Sequence, residues 1–217
     1  MIVAIDGGVA TGKSAVGRRV ADVLGLQFVD SGLMYRAITR LAIERGIDPH
    51  DSDALTELAR KTSIKVEGDH VWADGKELTG RIFGTDLADA LPLVSATAGV
   101  RTALVDQQRR MCEHGVVMAG RDIGTVVFPN ADHKFFLVAS LAEKVRRRAA
   151  QYQRRGEPVD EEAMRKEVEM RDRVDTERAV APLRPAPDAV IVDTDNMSLD
   201  DVVDVIVTEI EETVGGE

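Results

Sequence analysis

The chain has 217 residues, 30% of them charged, and a formal net charge of -10 at pH 7. This length suits one α/β domain with a sizeable core. The acidic balance argues against a general nucleic-acid binder, which needs a broad basic field. The single cysteine, Cys112, cannot form an internal disulfide and indicates a reducing compartment. No apolar run approaches the ~20 residues of a membrane span, so we expect a soluble, cytoplasmic protein without nucleic-acid or membrane partners. We also expect a monomer.

The first element in chain order is a short apolar strand that leads through a glycine-rich turn into a helix. Residues 1–5 are rich in β-branched side chains, and residues 15–24 carry apolar side chains at helical spacing. The segment between them contains Gly-Gly-Val-Ala-Thr-Gly-Lys-Ser, the pattern of a phosphate-binding loop whose N–H groups and helix N-terminus attract anions. We predict that it binds a nucleoside triphosphate, with Lys13 on the outer phosphates and Ser14 on Mg²⁺. The predicted site for this triphosphate is Gly7, Gly8, Val9, Ala10, Thr11, Gly12, Lys13 and Ser14.

The remaining elements alternate between strands and helices, which favours a parallel sheet. One segment breaks the rhythm: Gly-Asp and Asp-Gly pairs flanked by alternating apolar residues predict a small antiparallel meander, which we interpret as an insertion. The predicted strands are 26–30, 116–118, 135–138 and 189–192, the meander is 64–76, and the predicted helices are 35–45, 55–60, 100–113, 141–155, 161–177 and 199–214.

Arginine is concentrated in one stretch of this otherwise acidic chain. Part of it fits solvated helix faces with i,i+4 pairing to glutamates. An Arg-rich, hinged segment above a phosphate-binding loop also fits a lid, because phosphoryl transfer needs cations that arrive with the substrates. The arginines are Arg146, Arg147, Arg148, Arg154, Arg155, Arg165, Arg171, Arg173, Arg178 and Arg184.

Three further segments combine with the phosphate loop. Residues 30–36 read Asp-Ser-Gly-Leu-Met-Tyr-Arg, residues 120–129 read Gly-Arg-Asp-Ile-Gly-Thr-Val-Val-Phe-Pro, and the third segment is 171–183. In this order they closely resemble the bacterial cytidylate (CMP) kinase family. The resemblance implies transfer of the ATP γ-phosphate to CMP or dCMP with Mg²⁺. It also implies a three-layer α/β/α P-loop core (1–60, 100–145 and 179–217), a nucleoside-monophosphate-binding insertion (about 61–99) and a helical lid (about 146–178).

The resemblance also assigns roles to single residues. Cytosine offers an amino donor beside two acceptors, which a carboxylate on Asp122 and the guanidinium groups of Arg101 and Arg178 complement. Uracil reverses that polarity, and a closed site discriminates strongly against mismatched polar groups. The implied CMP site is Ser31, Tyr35, Arg36, Arg101, Arg121, Asp122, Arg171, Asp175 and Arg178, and the implied catalytic cations are Lys13, Arg121, Arg147, Arg148 and Arg155.

The chain departs from the family pattern in several places. Gly8 stands where the loop usually has proline, and Ala119 stands where an acidic residue commonly orients the metal-bound water. The cytosine-reading serine falls in register near Pro92, with Ser95 as the nearest substitute, and residues 82–83 replace the usual Ile-Arg pair. The apolar run that ends in Asp193 we interpret as structural or near the adenine. Two alternatives therefore stay open: another P-loop kinase that accepts UMP, or a catalytically weakened nucleotide-binding paralogue.

Overall fold

The computed structural model describes residues 1–112, 115–154, 156 and 158–215. The strands are β1 (Ile2–Gly7), β2 (Gln27–Asp30), β3 (Ile64–Glu67), β4 (His70–Ala73), β5 (Lys76–Glu77), β6 (Val116–Gly120), β7 (His133–Val138) and β8 (Val190–Asp193). The helices are α1 (Lys13–Leu24), α2 (Ser31–Glu44), α3 (Ser52–Lys61), α4 (Ala90–Ala96), α5 (Ala98–Arg110), α6 (Leu141–Arg154), α7 (Glu161–Glu177) and α8 (Leu199–Gly215). A π-helical turn spans Ile123–Val127.

A five-stranded parallel sheet forms the centre of the fold, in the order β2-β6-β1-β7-β8. Strand β1 pairs with β6 on one side and with β7 on the other, in parallel register. The chain leaves β1 toward one edge of the sheet and later returns to fill the other, so the carboxyl end of β1 lies at the point where strand order reverses. Open α/β sheets bind ligands at such a point. The predicted parallel sheet is confirmed.

Helices cover both faces of this sheet because successive strand side chains point to opposite faces. On β1, Val3 and Ile5 pack into a core shared with α1 and α8. Ala4, between them, faces a second core built from α2, α3 and α5. The neighbouring strand alternates in the same way, with Val117 in the first core and Met118 in the second. The predicted three-layer α/β/α arrangement is therefore confirmed.

The predicted meander is also confirmed: β3, β4 and β5 form a separate antiparallel sheet. Its buried side chains Ile64, Val66 and Val71 belong to the same core as the α2 and α3 side chains. The small sheet thus extends the core of the domain on the face that carries α2.

The helices differ from the sequence predictions in several places. Helices α2 and α3 begin at Ser31 and Ser52, before the predicted residues 35 and 55. Helix α4 was not predicted; its Pro92 lies in the first turn, where the missing N–H and fixed φ of proline are tolerated. Helix α5 ends at Arg110, before Cys112 and short of the predicted residue 113, which lies outside the described residues. Within the described part of the chain, we find no helix with the length and apolar character needed to cross a bilayer.

Candidate active site

The glycine-rich loop connects β1 to α1 at the carboxyl edge of the sheet. Gly12 caps α1 with φ 92°, a left-handed conformation that favours glycine. The next residue, Lys13, is buried, and its Nζ donates to the Gly8 carbonyl oxygen over 2.7 Å. Burial, and then the nearby charge of Arg121, lower the pKa of the Lys13 ammonium group to about 7. An anion bound beside Lys13 would stabilise its protonated form and raise its pKa.

Ser14, on the first turn of α1, contacts the end of β2. Its hydroxyl donates to Asp30 Oδ2 over 2.6 Å, while Asp30 Oδ1 accepts from the Gly32 N–H at the start of α2. Asp30 lies in register with Ala119 of the adjacent strand β6. In-register residues on neighbouring strands share a face, so the Asp30 carboxylate stands on the same face as the fully buried Ala119 methyl group.

A second carboxylate, Asp6 at the end of β1, was not identified from the sequence. It is buried and accepts hydrogen bonds from the Ile123 and Gly124 N–H groups over 2.8 and 2.7 Å. Burial is the largest influence and raises the pKa of Asp6 to about 6, against the opposing effect of these two bonds. Asp6 directly follows the apolar residues of the first strand. This position in the sequence could have indicated it as a candidate site residue. By contrast, Asp193 is exposed and accepts from the Asp195 N–H.

A cavity of about 610 Å³ opens beside the loop and collects the predicted acceptor residues. Lys13 and Ser14 line one part of it. The nine residues that sequence analysis assigned to CMP, contributed by α2, α5, the segment after β6, α7 and the residue after α7, also line it: Ser31, Tyr35, Arg36, Arg101, Arg121, Asp122, Arg171, Asp175 and Arg178. The structure therefore brings together side chains that are more than 140 residues apart in the chain.

Asp122 is the centre of a buried charge cluster in this cavity. Its Oδ2 accepts from Arg101 Nη2, and Arg178 Nη2 lies 3.8 Å from its Oδ1. Arg101 also stacks 5.1 Å from the Tyr35 ring centroid. Among the described residues, Arg101 Nε and Arg178 Nη2 have no hydrogen-bond acceptor, although both atoms are buried. Buried donors without acceptors are costly, so this cluster suits a ligand that supplies acceptor atoms.

A second group, at the α7 side of the cavity, combines Arg121, Arg171 and Asp175. Arg121 Nε donates to Asp175 Oδ2 over 2.7 Å. Burial opposes ionisation of Asp175, but the charge and hydrogen bond of Arg121, together with the charges of Arg171 and Arg178, outweigh it and lower the pKa of that carboxyl group. For Arg171, burial and the charge of Arg121 lower the pKa to about 10. The positive charges of Arg121 and Arg171 together attract an anion.

Ser95, the nearest substitute for the missing serine, lines the main cavity, and its carbonyl oxygen accepts from Arg101 Nη1 over 2.9 Å. Its hydroxyl donates to the Pro92 carbonyl oxygen over 3.1 Å. Pro92, the residue that falls in the family register, lines a neighbouring cavity. A role of the Ser95 hydroxyl in reading the base stays a prediction.

Comparisons with known proteins show the family of the chain. The family model of cytidylate kinase matches residues 3–212. A cytidylate kinase from Desulforamulus reducens is 46% identical, with 96% of each chain covered. One from Geobacillus kaustophilus is 45% identical, with 98% of this chain and 97% of that protein covered. The chain belongs to the cytidylate kinase family.

The family also occurs as part of longer proteins. A bifunctional pantoate ligase/cytidylate kinase from a Synechococcus species is 45% identical over 95% of this chain. The chain spans 40% of the length of that relative.

In this cytidylate kinase family member, the three arginines of the lid segment that were predicted to be catalytic are Arg147, Arg148 and Arg155, and those in the described residues occupy different environments. Arg148 lines the main cavity and pairs with Glu167 of α7 over 2.6 Å. Arg147 lines a neighbouring cavity of about 370 Å³, where its guanidinium donates to the Thr11 carbonyl oxygen and to both oxygens of Thr194. Arg155 lies outside the described residues. The catalytic roles assigned to these arginines stay predictions.

Proposed function

We propose that the chain transfers the γ-phosphate of ATP to CMP or dCMP, giving ADP and CDP or dCDP. The observation that carries this proposal is the shared cavity: Lys13 and Ser14 of the phosphate loop line the same space as the Asp122 cluster. Donor phosphates and an acceptor nucleotide bound there would have their reacting groups adjacent. Such proximity supplies much of the rate acceleration in a two-substrate reaction.

The Asp122 cluster supports cytosine as the base of the acceptor. Asp122 would accept from the cytosine amino group, and the buried donors Arg101 Nε and Arg178 Nη2 would face its acceptor atoms. Uracil would place a carbonyl oxygen against the Asp122 carboxylate. Sites built on buried polar groups reject such mismatches by large factors.

The chemistry needs no general base, because a phosphate oxygen of CMP is already an anionic nucleophile. That oxygen forms a bond to the γ-phosphorus as the bond to the bridging oxygen of ADP breaks. Catalysis then consists of alignment and charge stabilisation. Arg36, Arg121 and Arg171 would clamp the acceptor phosphate, and Lys13 would hold the donor phosphates. Ser31, Asp175 and Tyr35 would line the sugar–phosphate side.

The residues around Ser14 fit a magnesium ion. Ser14 Oγ and Asp30 Oδ2, which are joined by a hydrogen bond of 2.6 Å, are oxygen atoms of the type that Mg²⁺ prefers as ligands. Ser14 would hold the ion with the donor phosphates, and Asp30 would orient it in place of the carboxylate that Ala119 lacks. Bound there, Mg²⁺ would neutralise charge on the transferring phosphoryl group.

The other assignments are part of the same proposal. The segment of about 61–99 would bind the acceptor nucleotide, the segment of about 146–178 would act as a lid, and the cavity beside Arg147 and Thr194 would take the donor base. We expect the protein to work in the cytoplasm as a monomer, on small-molecule substrates and without nucleic acid.

ADP formation from Mg·ATP with CMP, dCMP, UMP and AMP in parallel tests the proposal. We expect selective turnover of CMP and dCMP, and an Asp122→Asn variant with a CMP/UMP ratio of kcat/KM reduced by about tenfold or more. Asp106→Asn, on the exposed face of α5, is the matched control. Equal use of UMP by the native chain would favour the UMP-accepting alternative. Binding of ATP without turnover of any acceptor would indicate the weakened paralogue.

A further inference from the structure

A carboxylate from the lid side reaches the phosphate loop. Asp172, on α7, accepts a hydrogen bond from the Val9 N–H over 2.9 Å through Oδ1. Its other oxygen, Oδ2, accepts from Lys144 Nζ of α6 over 2.5 Å. Val9 and Asp172 are separated by 163 residues, so only the tertiary fold brings this acid onto the loop. Neither Asp172 nor Lys144 has a place in the proposed function so far.

The close approach of Asp172 depends on a glycine. A Cβ atom on Gly8 would lie 2.7 Å from Asp172 Oδ1 and 3.2 Å from Lys144 Nζ. The first distance is shorter than real contacts allow, so any side chain at position 8 would push the carboxylate away. Gly8 does not have the left-handed φ that restricts other residues, so alanine fits its backbone. Gly8 therefore permits the contact of Asp172 with the loop.

The Val9 N–H is one of the loop groups that a bound phosphate would use. One N–H makes one strong hydrogen bond, so Asp172 and a phosphate oxygen compete for it. A carboxylate at this point also repels the negative charges of a triphosphate across a short distance. The ammonium group of Lys144 is the charge that reduces this repulsion, and it stands close enough to the loop to meet the phosphates itself.

We propose that Asp172 is an internal anion that competes with the donor phosphates for the loop, and that Lys144 is a further phosphate-binding cation that Asp172 holds until the donor arrives. This proposal rests on the proposed function, because it assigns the loop to a triphosphate. When the donor binds, Lys144 exchanges one anionic partner for another, and Asp172 leaves Val9. Arg171 and Asp175 lie on the same helix, so this exchange links the donor loop to the acceptor site.

Binding of inorganic tripolyphosphate and of ATP, titrated calorimetrically, tests the first half. Asp172→Asn keeps the shape of the side chain but removes its charge, and we expect binding to become about fivefold tighter or more. Glu169→Gln is the matched control, since it removes a carboxylate on α7 whose ion pair with Arg165 is exposed. Unchanged or weaker binding by Asp172→Asn, with the fold intact by thermal unfolding, would overturn the proposal.

Gly8→Ala gives an independent route to the same result, because it displaces Asp172 without altering it. We expect Gly8→Ala to tighten tripolyphosphate binding in the native chain. The factor should be about three times the factor that the same substitution produces in the Asp172→Asn chain. Equal effects in the two backgrounds would mean that Gly8 and Asp172 act separately, which contradicts the proposal.

The role of Lys144 is tested where Asp172 no longer carries a charge. In the Asp172→Asn background, Lys144→Gln should weaken binding by about fivefold. Lys166→Gln, which breaks an exposed pair with Glu162, is its control and should have no effect. No change on Lys144→Gln would show that Lys144 pairs with Asp172 but does not bind the phosphates, which contradicts its proposed role.

If the native chain binds neither ATP nor tripolyphosphate, the loop assignment and the proposed function fail together. If it binds both and the variants do not differ, only this inference fails.

Discussion

Lys13 shows how burial prepares a residue for its ligand. Its pKa of about 7 means that most molecules carry a neutral Lys13 at pH 8. Donor phosphates would place negative charge against Lys13 and raise its pKa above this value. Binding of ATP at pH 8 should therefore be accompanied by net uptake of a proton, and affinity should fall as pH rises above 7.

Calorimetric titration of ATP at pH 8, in two buffers with different ionisation enthalpies, measures this uptake. Lys13→Arg is the matched control, since a guanidinium is always charged and should show no uptake. Equal heats for the native chain in both buffers would mean that Lys13 is already charged before binding.

Ala119 is a second residue whose surroundings decide the effect of a change. Its methyl group is fully buried on the face that carries Asp30. Ala119→Asp would place a second carboxylate there, and without metal this should lower the free energy of unfolding by about 2 kcal/mol. With saturating Mg·ATP, we expect turnover to be unchanged or raised, because both carboxylates can then orient the ion.

Urea unfolding and ADP formation, each with and without Mg²⁺, check this prediction. Ala119→Asn separates the cost of a buried polar group from that of charge. A large loss of turnover at saturating Mg²⁺ would show that the site has been rebuilt around the alanine.

At the scale of elements, Asp6 ties the end of β1 to the π-helical turn 123–127. The pKa of Asp6 is about 6 in the folded chain and 3.8 in the unfolded one. Between these values the folded state holds a proton that the unfolded state has lost. The contribution of Asp6 to stability must therefore fall as pH rises from about 4 to about 6, by about 3 kcal/mol.

Denaturant unfolding of the native chain and of Asp6→Asn, from pH 4 to pH 7, isolates this contribution, since asparagine does not titrate. The difference in unfolding free energy between the two should change by about 3 kcal/mol over that range. Asp193→Asn, at an exposed strand end, is the matched control. A constant difference would show that Asp6 is ionised at pH 4 in the folded chain.

The same elements show how far local sequence predicts this fold. Strand and helix periodicity predicted the parallel sheet and the meander, because each element carries its own buried face. The acceptor residues were predicted from a resemblance in motifs such as 120–129. The position of Asp6 at the end of the first strand was a local signal, but its hydrogen-bond partner is 117 residues away and could not be predicted from it. Asp172 was missed because its partner Val9 is 163 residues away, and no local pattern encodes that contact. The π-helical turn was not predicted either, and its first two N–H groups donate to the distant Asp6 carboxylate.

At the scale of the whole molecule, the site gathers like charges from separate elements. Arg36 of α2, Arg121 after β6, Arg148 of α6 and Arg171 of α7 all line the main cavity. Burial is the largest influence that lowers the pKa of Arg171. The charges of Arg36, Arg121 and Arg148 lower it further, and the charge of Asp175 offsets part of their effect. The folded chain therefore carries repulsion that a bound phosphate group would relieve. In sites of this kind, tight binding of the ligand is accompanied by a lower stability of the ligand-free protein.

Arg171→Met should separate these two effects, because methionine keeps an apolar stem and removes the charge. We expect the free energy of unfolding of the free chain to rise by about 1 kcal/mol at low salt, and less at high salt, where repulsion is screened. At a CMP concentration of 100 times its Kd, the native chain should gain about 2.7 kcal/mol, and the variant at that concentration should gain almost nothing. Urea unfolding with and without CMP measures both.

Arg173→Met, on the exposed face of the same helix and paired with Glu177, is the matched control and should lose a few tenths of a kcal/mol at most. If Arg171→Met instead lowers the unfolding free energy of the free chain, its attraction to Asp175 outweighs the repulsion from the other three arginines, and the charge cluster is not a source of strain.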